Sequence, residues 1–187
     1  DNENSLFMKK PGKDKIKLAS NVMDVRFNST LNNIAYVSEG ALYLKDIEKD
    51  DKDKLADKNN SAPFEFVSDT ALVYMEDYDS TNKKGELFYK ELGKVKRKLA
   101  SDVSSFNLFS DGIFYINSDK TLYFKDYISD KNTKILDDVT ETIRSKGSIF
   151  ALDKDKNLYK VNANGEKEKL NQDVVKNEVT ADSIAST

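Results

Sequence analysis

DVSSFNLFSDGIFYINSDKTLYFK, Asp102 to Lys125, is the stretch whose reading decides the fold. Val103, Phe106 and Leu108 lead to Ser110-Asp111-Gly112, a hairpin signal, because Asp and Gly accept the backbone angles of a tight reversal. Ile113 to Ile116 follows, then a second turn at Ser118-Asp119-Lys120, then Leu122 to Phe124. The reading is three short strands joined by two turns.

The same pattern recurs on both sides. A Leu-aromatic pair stands at Leu6-Phe7, Leu42-Tyr43, Leu87-Phe88, Leu122-Tyr123 and Leu158-Tyr159, at spacings of 36, 45, 35 and 36 residues. A basic residue running into Leu follows each pair, at Lys17-Leu18, Lys54-Leu55, Lys98-Leu99, Lys134-Ile135-Leu136 and Lys169-Leu170. Apolar runs begin at Ile34, Ala71, Gly112 and Ser148, with a shorter echo at Ser183. Five units of about 37 residues fill the chain, a period that belongs to solenoids, arrays or propellers.

The content of each unit chooses among these. Strands of four to six residues, separated by turns rich in Asp, Asn, Ser, Gly and Lys, recur with no long segment of helical period. Adjacent aromatics such as Phe114-Tyr115 and Tyr123-Phe124 put apolar groups on both faces, so both faces need cover. The expected fold is therefore all-β, a β-propeller of four-stranded antiparallel blades labelled A to D outward from the axis. Residues 1–4 read as a polar tail and 5–187 as a single domain of five repeats. The first repeat begins at its C strand, and VVKNEVT and SIAST at the C-terminus resemble an A-B pair. Together they would close a five-bladed ring through one composite blade; the alternative is an excised part of a larger propeller.

Composition excludes several functions. The chain has neither cysteine nor histidine, which removes disulfides, Cys or His metal sites and every Ser-His-Asp or Cys-His nucleophile. Thirty basic residues interleave with 33 acidic ones for a net charge of -3, and only three of the basic residues are arginines, so nucleic acid is not an expected partner. No apolar run reaches the length of a membrane span, and any anchor would lie outside this chain. No cofactor is implied.

Lysines alternate along the D segments, as in Lys13, Lys15 and Lys17 or Lys94, Lys96 and Lys98. Lysines on outer edge strands oppose edge-to-edge aggregation. A rim of cations that holds an anionic envelope polymer is the functional alternative. The second unit is lengthened by the loop Glu76 to Glu86. Asp77, Asp79 and Thr81, like Asp153, Asp155 and Asn157, have an alternating oxygen-ligand pattern, but neither has the Gly and Glu that a calcium loop needs, so both read as polar turns. The acid-rich run beginning at Ile47 reads as a solvated turn.

Candidate A strands carry polar residues between apolar ones: Arg26, Glu65, Asn107 and Glu178. On innermost strands these would face a central channel and hold a small ligand, water or inter-blade hydrogen bonds. They are the candidate ligand-binding residues, with Ile143 breaking the ring in the remaining unit. The aromatics Tyr36, Tyr43, Tyr74, Phe88, Tyr115, Tyr123, Phe150 and Tyr159 fall at equivalent places, as blade packing requires.

Asp111-Gly112, Ile113-Phe114-Tyr115, Leu158-Tyr159 and Asn164-Gly165 resemble the propeller repeats of the low-density lipoprotein receptor-related type, in the branch found on surfaces of low-GC Gram-positive bacteria. The family's Tyr-Trp-Thr-Asp motif is replaced here by Tyr36-Val37-Ser38-Glu39 and Tyr115-Ile116-Asn117-Ser118. The resemblance implies a non-enzymatic, extracytoplasmic module attached to the cell surface or envelope, with a protein or an envelope glycan or polymer as partner. A carbohydrate-binding or glycoside-hydrolysing propeller is the alternative, and Glu65 and Glu178 are the carboxylate pair to suspect.

Overall fold

The computed structural model describes residues 4–49, 52–58, 62–109, 111–127, 129–145, 147–162 and 164–173. All regular structure among them is antiparallel β. The chain divides into two compact units, Asp1–Ser101 and Asp102–Thr187.

The first unit opens with a hairpin of β1 (Leu6–Met8) and β2 (Ile16–Ala19). A four-stranded meander follows: β3 (Val22–Phe27), β4 (Asn33–Ser38), β5 (Ala41–Asp46) and β6 (Lys52–Ala56), paired in chain order. Next come β7 (Phe64–Phe66), β8 (Ala71–Asp79) and β9 (Lys84–Glu91), again neighbours in chain order, and then β10 (Arg97–Leu108). The second unit pairs the later residues of β10 with β11 (Gly112–Asn117), β12 (Leu122–Asp126) and β13 (Asn132–Leu136). Its second sheet is a meander of β14 (Val139–Ser145), β15 (Ser148–Asp153), β16 (Leu158–Val161) and β17 (Lys167–Asn171).

One difference from the sequence reading lies in β10, which runs unbroken where two separate strands are expected. Asp102 marks the join with a left-handed φ of 53°. Asn21 and Asp138 do the same before β3 and β14, at 52° and 57°. Asn and Asp tolerate this conformation because their short polar side chains bond locally. Each is followed by Val, so Asn/Asp-Val is a repeat marker at 21–22, 102–103 and 138–139. Just beyond it each strand shifts register, at the start of β3 and β14 (residues 22–24 and 139–141) and partway along β10 (residues 103–105).

Packing is between consecutive sheets of one unit. In the first unit, Ala35, Val37, Leu42, Leu44 and Leu55 form a buried cluster with Phe64, Leu72 and Tyr74. In the second, Phe114, Ile116, Leu122, Phe124 and Ile135 do so with Val139, Ile149, Ala151 and Val161. Aromatic pairs face each other across B and C strands: Tyr36 and Tyr43 stack at 5.3 Å, Tyr74 and Phe88 at 5.9 Å, Tyr115 and Tyr123 at 5.2 Å. The fourth sheet departs from the expected regularity. Ala151 is the residue opposite Tyr159, while Phe150 lies one place away, opposite Lys160, and so on the other face.

The D-strand lysines have intramolecular partners. Lys15, Lys52, Lys96 and Lys167 lie over the rings of Phe7, Tyr43, Phe88 and Tyr159. Lys54, Lys98 and Lys134 pair with Asp57, Glu86 and Asp137. A second set of lysines ends the C strands: Lys45, Lys90 and Lys125 are all at least nine-tenths buried. Lys125 Nζ donates to the Asp130 carbonyl at 2.7 Å, and Lys90 Nζ lies 2.6 Å from Asp53 Oδ2. Their stems pack in the sheet while their ammonium groups hold the neighbouring chain in place.

Gly112 begins β11 where the sheet leaves no room for a side chain. A Cβ there would strike the Phe124 ring and the Lys125 carbonyl. Gly147 has open space around it and only a left-handed φ of 77°. Gly112→Ala is therefore expected to cost about 3 kcal/mol through overpacking, against about 1 kcal/mol for Gly147→Ala. Urea denaturation midpoints of the two variants check this order.

Candidate functional site

Two of the four candidate ligand-binding residues meet in one place. Arg26, on β3, and Glu65, on β7, line a cavity of 770 Å3 together with Phe27, Asn28, Ser29, Phe64, Phe66 and Asp69. A second cavity, of 500 Å3, continues on the other side of Arg26 past Met23, Asp24 and Pro63. Arg26 and Phe64 line both, and the guanidinium stands 5.5 Å from the Phe64 ring. The two cavities form a single cleft along the edge strands β3 and β7.

Its polar groups are organised by the turn after β3. The Asn28 side chain accepts from the Asn33 amide at 3.1 Å and donates across to the Asp69 carbonyl at 2.9 Å. Asn33 Nδ2 reaches the same carbonyl at 2.9 Å, and Ser29 Oγ donates to Asp69 Oδ1 at 2.6 Å. Asn28 and Asn33 are 3% exposed, so the bonds these two make are shielded from competing water, while the Ser29 bond stands at the surface. They clamp the turn of one sheet to the turn of the next. The sequence reading missed the clamp, although the cluster NSTLNN at 28–33 was a visible turn signal.

Charge in the cleft is unbalanced. Arg26 pairs with Asp24 at 2.6 Å, so its charge is met by its own strand. Among the described residues no cation pairs with Glu65 or Asp69. Asn107, in the second unit, makes a long hydrogen bond of 3.4 Å from Nδ2 to Thr142 Oγ1, linking β10 to β14. This is the inter-sheet contact expected as one use of such residues. Glu178 lies outside the described residues, so its pairing with Glu65 as a glycosidase couple has no geometry here.

The calcium-like turns use their oxygens internally. Asp153 accepts from the Asn157 amide at 2.9 Å and from Asn157 Nδ2 at 2.8 Å; Asp79 accepts from Thr81, Asn82 and the Asn82 side chain. Among the described residues no group of three or more His, Cys, Asp or Glu could hold a metal ion, and no helix is long and apolar enough to cross a membrane. The cleft offers Ser29 hydrogen-bonded to Asp69, and with no histidine in the chain that serine has no imidazole base. The groups it presents are hydrogen-bonding side chains, ring faces and carboxylates.

No protein-family model matches the chain, and no curated protein matches its sequence. Solved structures do match in shape. The N-terminal domain of Nup159 superposes with a TM-score of 0.59 at 12% identity, over 83% of this chain and 45% of that one. Hsv2 of Kluyvelomyces marxianus gives 0.53 at 12% identity, over 81% and 51%. A protein described as TolB from Agrobacterium tumefaciens gives 0.52 at 12%, over 85% and 66%. All three are β-propellers, and the likeness shows that fold. The chain spans about half the length of the first two and 66% of the third.

Two outcomes follow from this geometry. Asn28→Ala leaves the buried Asn33 amide without its acceptor and is expected to destabilise the chain by about 2 kcal/mol, read from chemical denaturation. Burial by itself would raise the Asp153 carboxyl pKa, but the hydrogen bonds from Asn157 prevail and hold it below the ordinary value. A depressed carboxyl contributes stability that is present above its unfolded pKa, about 3.9, and is lost as pH falls through the folded value. Thermal melts between pH 5 and 2 are expected to fall less steeply in Asp153→Asn than in the parent chain.

Proposed function

We propose that this chain is a non-catalytic arc of a β-propeller that binds another protein through the turns and edge strands of its first unit. The observation that carries the reading is the open β3–β7 cleft, with a built hydrogen-bonded rim and two carboxylates that no cation among the described residues meets. Propeller folds serve many functions, so the argument rests on the site and not on the fold. In one similar structure, an S. cerevisiae assembly with a TM-score of 0.50, Nup159 is bound to Dbp5. Protein binding by a propeller is the use we assign here.

The blades are four-stranded meanders, and the larger ring is the better reading of their number. It is supported by the roughly half-length match to Nup159 and Hsv2, and by a first hairpin of two strands where the meanders have four. Closure of five blades by a composite blade is the second form of this proposal; its A-B pair, VVKNEVT and SIAST, lies outside the described residues. One propeller domain over 5–187, of the receptor-related type, placed outside the cytoplasm on a Gram-positive surface, completes the proposal. Its support is the repeat sequence around Asp111-Gly112 and Asn164-Gly165. An envelope glycan or polymer is the weaker partner, because the D-strand lysines that would hold it already lie over rings or pair with carboxylates.

Crosslinking of the intact chain in extract of the organism that carries it, run beside a glycan panel, tests the function. A protein captured in fixed stoichiometry with no glycan turned over is the expected result; hydrolysis of any glycan overturns the non-catalytic reading. Light scattering combined with small-angle X-ray scattering tests the arc. Association that grows with concentration is expected of exposed sheet edges, whereas a compact flat monomer would favour the five-bladed ring.

A further inference from the structure

We propose that the β3–β7 cleft docks an extended protein segment carrying arginine or lysine side chains among apolar ones; this deepens, and rests on, the protein-binding reading above. The apolar half of the argument begins at a repeat position. Where β10 and β14 shift register, Ser104 and Thr140 donate their hydroxyls to the carbonyls of Ile116 and Leu152, at 3.0 and 3.1 Å. β3 has Met23 at that place, with no hydroxyl to give and 71% of its surface in water. Phe27, four residues on, is 49% exposed, and Leu31, in the turn beyond, is 66% exposed. Leu31 also holds a left-handed φ of 58°, a conformation that the chain otherwise gives among described residues only to glycine or to polar and charged residues. Three large apolar side chains thus stand in solvent along one strand and its turn, while the cores of both units are closed.

The electrostatic half fixes the kind of partner. Arg26 is neutralised by Asp24, which leaves Glu65 and Asp69 as carboxylates of the cleft with no cation partner among the described residues. A segment with basic side chains satisfies them, and an acidic one is repelled. Arg or Lys also brings a long aliphatic stem that can cover exposed apolar surface beside its charge. β3 stands at the edge of its sheet, but Val25 already gives its amide to Asp24 Oδ1 and its carbonyl to the Arg26 guanidinium, so a segment lying beside it is held by the side chains of the cleft.

Fluorescence anisotropy with the intact chain at physiological salt tests the proposal, using a labelled peptide of alternating Arg and Leu, an Arg-Ser peptide and a Glu-Leu peptide. The Arg-Leu peptide is expected to bind at least about tenfold more tightly than the other two. Glu65→Lys, Phe27→Ser and Met23→Thr are each expected to weaken it about tenfold, while Asp119→Lys, an equal charge change on the second unit, leaves it unaltered. Met23→Thr supplies the residue type that β14 carries at this position, so circular dichroism should match the parent chain. Equal binding of Arg-Ser or Glu-Leu, equal loss in Asp119→Lys, or no binding of Arg-Leu overturns the proposal. If the crosslinked protein partner is retained undiminished by Glu65→Lys and Phe27→Ser, the cleft is not the docking site although the chain binds protein; if no protein is captured at all, the broader reading fails with it.

Discussion

A small sheet with apolar side chains on both faces is stable in water only when something lies against each face, and every sheet in this chain is of that kind. In the second sheet of strands, β3 to β6, Ala35, Val37 and Leu44 point one way while Ile34, Tyr36 and Tyr43 point the other. The period of two along each strand makes this unavoidable once apolar residues occupy adjacent positions. Consecutive sheets therefore serve as each other's core. Their turns come together at the ends, which is where Asn28 and Asp69 clamp one sheet to the next.

That logic explains what could be read in the sequence. The strands B and C were legible because Ile34 to Ser38, Ala41 to Asp46, Ile113 to Ile116 and Leu122 to Phe124 combine β-branched, aliphatic and aromatic residues between turn formers. Strand A was less so, since β3 and β14 mix charged and apolar residues, and the continuity of β10 through Asp102 was not visible at all. A left-handed Asp within a ladder looks in sequence like any other turn Asp. Phe150 shows a further limit: an aromatic within an apolar run does not announce its face, and one residue of register put it opposite Lys160.

Of the residues that line the cleft, Arg26 and Glu65 stood out in the sequence as polar residues between apolar ones, and they lie on edge strands; Asn107 makes an inter-sheet contact. Asn28, Asp69 and Phe27 were not, because their role depends on two turns some forty positions apart in the chain. The lysines took the opposite course. Their alternation was plain, but not their partners, and an ammonium over a tyrosine ring has a different availability to polyanions from one in open solvent. Lys45, Lys90 and Lys125 stand three places after the Leu of the three middle Leu-aromatic pairs, a spacing that does predict a shared role.

The meander connectivity has a consequence for how the chain reaches its folded state. Within each sheet every strand pairs with the one before it, so the loops to be closed are short and their entropic cost is small. Hydrogen-bonded ladders can form one after another as residues emerge during synthesis, in the manner of other repeat architectures. Burial lags behind pairing by one repeat, because the outer face of a newly made sheet stays wet until its successor arrives. The nascent chain thus always carries one unfinished apolar face, and the charged turns and lysine-bearing outer strands are what keep that face from meeting another chain first.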